Sequence, residues 1–172
     1  MKIIVIAIII LILFRINIVF YQRRTIRNLL IKLINEFEKE NVKYWVDFGS
    51  LLGMMREKDI ILGDNDGDVC ILKDDKENTE KVQNIVQRMG GKFFYWGAFR
   101  VFDNDIFIDI FLVKEDEIKD TKHLIFPTIK ETVCLGDNKI IATIPNKPKE
   151  FLEARYGKDW TVQKYKWYFL YF

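Results

Sequence analysis

Cysteine is scarce in this chain: Cys70 and Cys134 are the only two, and His123 is the sole histidine. No Cys-x-x-Cys pair and no Cys/His set at zinc spacing is present, which excludes a zinc finger or ribbon. The two cysteines are either buried thiols or one disulfide, and the apolar neighbours of each favour thiols. His123 stands in a Thr-Lys-His stretch with no Ser-His-Asp or Cys-His set around it, so triad chemistry is not supported. The chain has no Asn-x-Ser/Thr sequon and no internal repeat. Acidic residues are missing from positions 1–24, which hold Lys2, Arg15, Arg23 and Arg24. These take four of the 27 basic residues and none of the 25 acidic ones, so the rest of the chain is slightly acidic. Its positive charge is dispersed, which excludes a cationic nucleic-acid binder.

What the chain does have is apolar residues: 49% of its 172 positions, enough for one sizeable core plus an appendage. Residues 3–14 form an unbroken apolar run, continued after Arg15 and Asn17 by Ile18 to Tyr21. A helix over residues 3–20 spans about 27 Å, against a bilayer core of roughly 30 Å. Arg15 lies where its side chain reaches the interface by snorkelling, and Arg23 and Arg24 mark that interface. Two other readings stay open, a cleaved signal peptide and a buried core helix. The large residues at 16–22 offer no small-x-small cleavage site, which speaks against the first. The expected division is a single-pass membrane anchor over 1–24 and a globular unit over 25–172. Basic residues flank the run on both sides, Lys2 before it and Arg15, Arg23 and Arg24 after it, so the orientation stays open, with the positive-inside rule favouring a cytosolic globular unit.

Beyond the anchor, Ile26, Leu29, Leu30, Leu33, Ile34 and Phe37 follow helical spacing and predict an amphipathic helix ending near Asn41. Tyr44 to Phe48 reads as a short strand, with Gly49-Ser50 as a turn into the apolar stretch Leu51 to Met55. Asp64 to Lys73 runs from a polar loop into a strand. Asn78 to Met89 reads as a helix stopped by Gly90-Gly91. Phe93–Trp96, Phe99–Phe102 and Ile106–Val113 read as strands, Lys139–Ile144 as another, and Lys149–Tyr156 as a helix closed by Gly157. Helices and strands mix without regular βαβ alternation, so the expected class is α+β.

The candidate chemistry lies in acids. Asp64, Asp66 and Asp68 alternate, and on an extended chain they share one face, about 6.6 Å apart. Like charges at that spacing repel by some kcal/mol at an effective dielectric of ~20. A divalent cation removes the cost, and hard oxygen ligands suit Mg²⁺ or Mn²⁺. An EF-hand does not fit, because its twelfth position would be Asp75 rather than glutamate and the flanks read as strand. The segment Ile106–Val113 carries one charge, Asp109, among otherwise apolar positions, as a strand buried on both faces would. A lone buried carboxylate requires a partner. A cation shared with Asp66 and Asp68 is the expected one, and Arg100 is the alternative.

Taken together these pieces resemble the LicD/fukutin family. The run Phe48-Gly49-Ser50-Leu51-Leu52-Gly53-Met54-Met55-Arg56, then Ile60-Ile61 and Asp64-Asn65-Asp66-Gly67-Asp68, is similar to that family's core motif. Ile108-Asp109-Ile110-Phe111 is similar to its third acidic strand. Pro148 with Tyr156-Gly157-Lys158-Asp159-Trp160 resembles its C-terminal Tyr-Gly-x-x-Trp element. The resemblance covers roughly residues 28–160. It implies a nucleotidyltransferase-like mixed sheet flanked by helices, here preceded by the transmembrane helix. It also implies a divalent-metal-dependent phosphotransferase that moves phosphocholine or ribitol phosphate from a CDP-linked donor to a glycan acceptor. Asp66, Asp68 and Asp109 would hold Mg²⁺ or Mn²⁺, and Asp64 would be a further ligand or the base. Gly49, Ser50 and Arg56 would meet phosphate. Two departures stand out, Gly63 before the first acid and Gly67 inside the Asp pair. A nucleotidyltransferase acting on a small molecule or protein, and a non-catalytic tethered relative, are the alternatives. A eukaryotic or eukaryote-infecting source would imply the ER or Golgi lumen instead of the cytosol.

Overall fold

No glycine or proline precedes Gly49, so nothing in the first segment breaks a helix. In the computed structural model, which describes residues 2–94 and 97–163, helix α1 runs uninterrupted from Lys2 to Lys39. Its two ends meet different surroundings. Every residue from Ile3 to Phe14 is exposed, whereas Ile26, Leu30, Leu33, Ile34 and Phe37 are fully buried. The helix is long and apolar enough to cross a membrane. Asn17 satisfies its amide within the helix by donating to the Leu13 carbonyl at 2.8 Å. The expected anchor and the expected amphipathic helix are therefore one element, with position 24 in mid-helix.

Five strands form the central sheet: β1 Trp45–Val46, β2 Asp66–Leu72, β3 Lys92–Phe94, β4 Ala98–Asp103 and β5 Ile106–Val113. Their spatial order is β1-β2-β5-β4-β3, with β2 and β5 parallel and every other pair antiparallel. The parallel pair lies at the centre, which explains why Val69, Cys70, Ile71, Ile108 and Ile110 are buried without alternation. Helix α3, Lys76–Arg88, leaves β2 through an Asp75 cap whose carboxylate accepts from Asn78 N–H at 3.1 Å. It buries Val82, Ile85 and Val86. Short helix α4, Lys122–Ile125, and helix α5, Pro148–Tyr156, flank the other end. Between them β6, Ile129–Leu135, and β7, Asn138–Ile144, make a separate antiparallel hairpin. Cys70 and Cys134 are free thiols. The expected strand end at Trp96 and the aromatic stretch after Lys164 lie outside the described residues.

Helix α2, Phe48–Arg56, replaces the expected strand end and Gly-Ser turn. Asp47 is its N-cap and accepts from Phe48 N–H at 2.6 Å, which starts the helix three residues earlier than the apolar run announced. Its middle is packed against the chain that returns to β2. A β-carbon on Gly53 would fall 2.4 Å from the Asp59 carbonyl oxygen and 3.1 Å from the Ile61 nitrogen, both backbone atoms. Gly53→Ala must therefore push helix and loop apart. It should destabilise the domain by about 2–4 kcal/mol in denaturant unfolding. A loss under about 0.5 kcal/mol would contradict this packing.

Candidate active site

The acids meet where β2 and β5 begin. The parallel register sets Asp66 opposite Phe107 and Asp68 opposite Asp109. On the other side of β5, Arg100 of β4 faces Asp109. Asp68 and Asp109 are buried, and Asp66 is half-buried at the strand's mouth. Asp64 lies in the loop before it, its carboxylate accepting from Asn65 N–H at 3.2 Å. Asp64, Asp66, Asp68 and Asp109 are thus brought to one end of the sheet.

Electrostatically this end is overloaded with negative charge. Burial, then the charges of Asp66, Asp64 and Asp109, push the Asp68 carboxyl up to about 8. Asp64 rises to about 6 through burial and the neighbouring Asp66. Asp66 is raised by burial and by Asp109, and opposed by Arg100. Arg100 binds Asp109 with both arms, Nε to Oδ1 at 2.5 Å and NH2 to Oδ2 at 2.7 Å. Its guanidinium also lies 3.7 Å from the centre of the Phe107 ring. The partner that the structure gives Asp109 is therefore Arg100, the alternative named from the sequence. Among the described residues no three Asp, Glu, His or Cys side chains are grouped closely enough to hold a metal ion.

The first turn of α2 covers the acids. A β-carbon on Gly49 would lie 2.8 Å from Asp64 Oδ2 and 3.5 Å from Asp68 Oδ2, so a side chain there would push the Asp64 carboxylate aside. Ser50 is buried, and its hydroxyl accepts from the Asp68 N–H at 2.8 Å. It fastens α2 to β2. Gly67 has a packing role too: a β-carbon there would crowd Ile108 Cδ1 at 2.5 Å and Ile26 Cγ2 at 3.4 Å. Its small size lets α1 lie close on the sheet. Arg56 bonds to Glu57 at 2.9 Å and to the Trp160 carbonyl at 3.5 Å rather than to any of the four acids. With Leu52, Tyr156, Asp159, Trp160 and Val162 it lines a cavity of about 200 Å³. Burial raises the Tyr156 hydroxyl, opposed by Arg155 and helped by the charges of Asp47, Asp68 and Asp64. His123 is exposed on α4.

Sequence reasoning passed over Asp47 and Arg155. Asp47 is buried and accepts from Trp45 Nε1 at 3.0 Å and Arg155 NH2 at 3.2 Å as well as from Phe48 N–H. Burial raises its carboxyl while Arg155 opposes the rise. The Arg155 guanidinium stacks on the Phe48 ring at 4.1 Å. The available signal was an Asp directly before an apolar helical run, which is an N-cap pattern.

Residues 41–155, well over half of the chain, match the family described as LicD/FKTN/FKRP, nucleotidyltransferase domain. The chain belongs to this family. A relative from Rickettsia prowazekii (strain Madrid E), uncharacterized protein RP689, is 31% identical over 81 residues, 47% of this chain and 30% of its own length. Human ribitol 5-phosphate transferase FKRP is 27% identical over 158 residues, covering 78% of this chain and 31% of that protein. The chain thus spans about a third of the length of these curated relatives. Among solved structures, the antibiotic-resistance factor ANT(2'')-Ia superposes with a TM-score of 0.43 at 19% identity, over 54% of this chain and 49% of that one.

Proposed function

We propose that this family member transfers a phospho-alcohol, of the ribitol-phosphate or phosphocholine kind, from a CDP-linked donor to a hydroxyl of a glycan. The observation that carries this reading is the placing of Asp68 beside Asp109 on the two central parallel strands, with Asp66 at the mouth and α2 above. The name of the human relative supports ribitol phosphate as the cargo.

Hard carboxylate oxygens are the donors a divalent cation takes, and an ion would have to draw Asp66, Asp68 and Asp109 closer together than they stand here. Four carboxylates share one strand end, and Arg100 bonds only Asp109 among them. Asp66, Asp68 and Asp109 would hold Mg²⁺ or Mn²⁺, with Asp109 shared between ion and Arg100. Bound there, the ion would supply charge neutralisation for the diphosphate and for the departing CMP. The chain's own residues set the rest. Gly49 keeps the start of α2, with its positive dipole end, against the acids and the phosphates they gather. The acceptor oxygen bonds to the phosphorus that carries the alcohol, while the bond from that phosphorus to the bridging oxygen breaks. That electron pair leaves on CMP. Asp64, in the loop at the mouth, takes the acceptor's proton.

The test is direct. The full chain in nanodiscs, given Mn²⁺ and CDP-ribitol, CDP-choline or CDP-glycerol with an oligosaccharide acceptor, should release CMP from one of them. Pyrophosphate release from a nucleoside triphosphate, with no CMP from any CDP-alcohol, would replace this reading with nucleotidyl transfer.

A further inference from the structure

Helix α1 fixes where the acidic end of the sheet stands relative to a bilayer. Ile26 lies against Gly67, at the acid end of β2. Eleven residues on, Phe37 packs on Tyr44 with ring centres 5.2 Å apart, and the next residue, Trp45, pairs with Cys70 near the far end of β2. Helix and strand therefore run the same way. The mouth formed by Asp64, Asp66 and Asp68 faces back toward the helix's exposed apolar end.

The height follows from helix geometry. Ile26 is six residues beyond Phe20, about 9 Å along the axis. Asp64 and Asp66 precede that level along the chain, and Asp68 with its register partner Asp109 stands one residue beyond it. There is no slack to raise them. Val19 is already buried, and the stretch before it, residues 3–18, spans about 24 Å, less than the roughly 30 Å of a hydrocarbon core. The domain is also clamped to the helix just beyond this point. Arg27 grips Asp59 with both arms at 2.6 and 2.7 Å, and Arg23 forms an ion pair with Asp59 at 3.0 Å and donates to Glu57 at 3.3 Å. These pairs anchor the loop that leads into Asp64.

We infer that the site works against the membrane surface, on a hydroxyl acceptor that is itself lipid-linked: a glycolipid whose first sugars stand about 10 Å above the hydrocarbon boundary. A CDP-linked ribitol or choline carries no lipid, so the tethered substrate is the acceptor. The acceptor's identity rests on the transferase reading, while the height does not.

Two measurements separate them. In the full chain, with Cys134→Ser, an environment-sensitive thiol label is placed by Asn65→Cys at the acid end or by Asp74→Cys at the opposite end; both positions are exposed. In nanodiscs carrying a spin-labelled headgroup lipid, the label at 65 should be quenched several-fold more than that at 74. Equal quenching, or none at either, would overturn the height and the acceptor with it. For activity, a straight polar helix of about 18 residues, five whole turns, is inserted after Tyr21 to lift the site by about 27 Å without rotating it. CMP release with a diacylglycerol-linked oligosaccharide in the same nanodisc should fall at least tenfold. Release with the same oligosaccharide free in solution should not change. Equal rates on the lipid-linked acceptor before and after insertion would overturn the proposal. No CMP under any condition would sink the transferase reading and this acceptor, while the quenching result would still decide the height.

Discussion

Asp66→Asn should abolish CMP release, by about 10³-fold or more, and leave the domain folded. Asp66 stands half-buried at the mouth and is raised by burial and by Asp109. Replacing it with an amide removes a charge from a crowded negative end, so the melting temperature should hold or rise. Asp109→Asn should be as inactive but should also cost stability, about 3 kcal/mol. It removes the charged partner of the Arg100 guanidinium and one of the two oxygens that accept from it, while leaving the guanidinium between β4 and β5. The contrast separates a loss of chemistry from a loss of fold. If Asp66→Asn keeps more than a tenth of wild-type turnover, the acids are not the reaction centre. Asp64→Asn is the finer probe. If Asp64 takes the proton, kcat falls while the donor's KM stays, because the donor is held elsewhere.

The acids were legible because their chemistry overrides local pattern. Alternation placed Asp64, Asp66 and Asp68 together, and a lone charge in an apolar strand marked Asp109. What a single chain does not print is register. Whether Asp109 faces Arg100 or a cation depends on how β4 aligns with β5, and the Arg100–Asp109 pairing emerges only from that alignment. The same limit hid the role of Gly67. Along the sequence it interrupts an Asp pair, while in space its missing side chain admits Ile26 of a helix some 40 residues away.

Elsewhere, local signals were read by rules that stop at their own boundaries. An unbroken apolar run and a helical periodicity call on different arguments, so α1 was divided where its environment changes although its backbone does not. Strand β6 was missed because Lys130, Glu131 and Thr132 occupy its exposed stretch, and only Val133 and Leu135 of the strand are fully buried. Its partner β7, more apolar, announced itself. In α2, glycine and serine suggested a turn. Their actual use is contact, Gly49 with Asp64 and Ser50 with the Asp68 N–H.

Between pH 5.5 and 8.5 the cation-free protein should lose thermal stability as pH rises, by about 5–10 °C, when the globular part of the full chain is melted in nanodiscs. The sign comes from Asp68 and Asp64, whose folded carboxyls are raised to about 8 and about 6. The folded state holds protons that the unfolded chain has already released. Their stabilising contribution is therefore complete below the ordinary carboxylate range and drains away as pH climbs through 6 and then 8. Glu38 works the other way: Lys130, Tyr44 and Thr143 outweigh its burial and lower it. It supports the fold above its ordinary value, so its effect falls below this window. Asp68→Asn should flatten most of the slope, since that carboxyl is the one pushed furthest. Millimolar Mn²⁺ should reverse it, stabilising by several degrees at pH 8.5 and little at pH 5.5, because an ion binds the charged carboxylates that protons otherwise occupy. A wild-type slope unchanged by both Asp68→Asn and Mn²⁺ would mean that these acids are not the cation-binding set proposed for them.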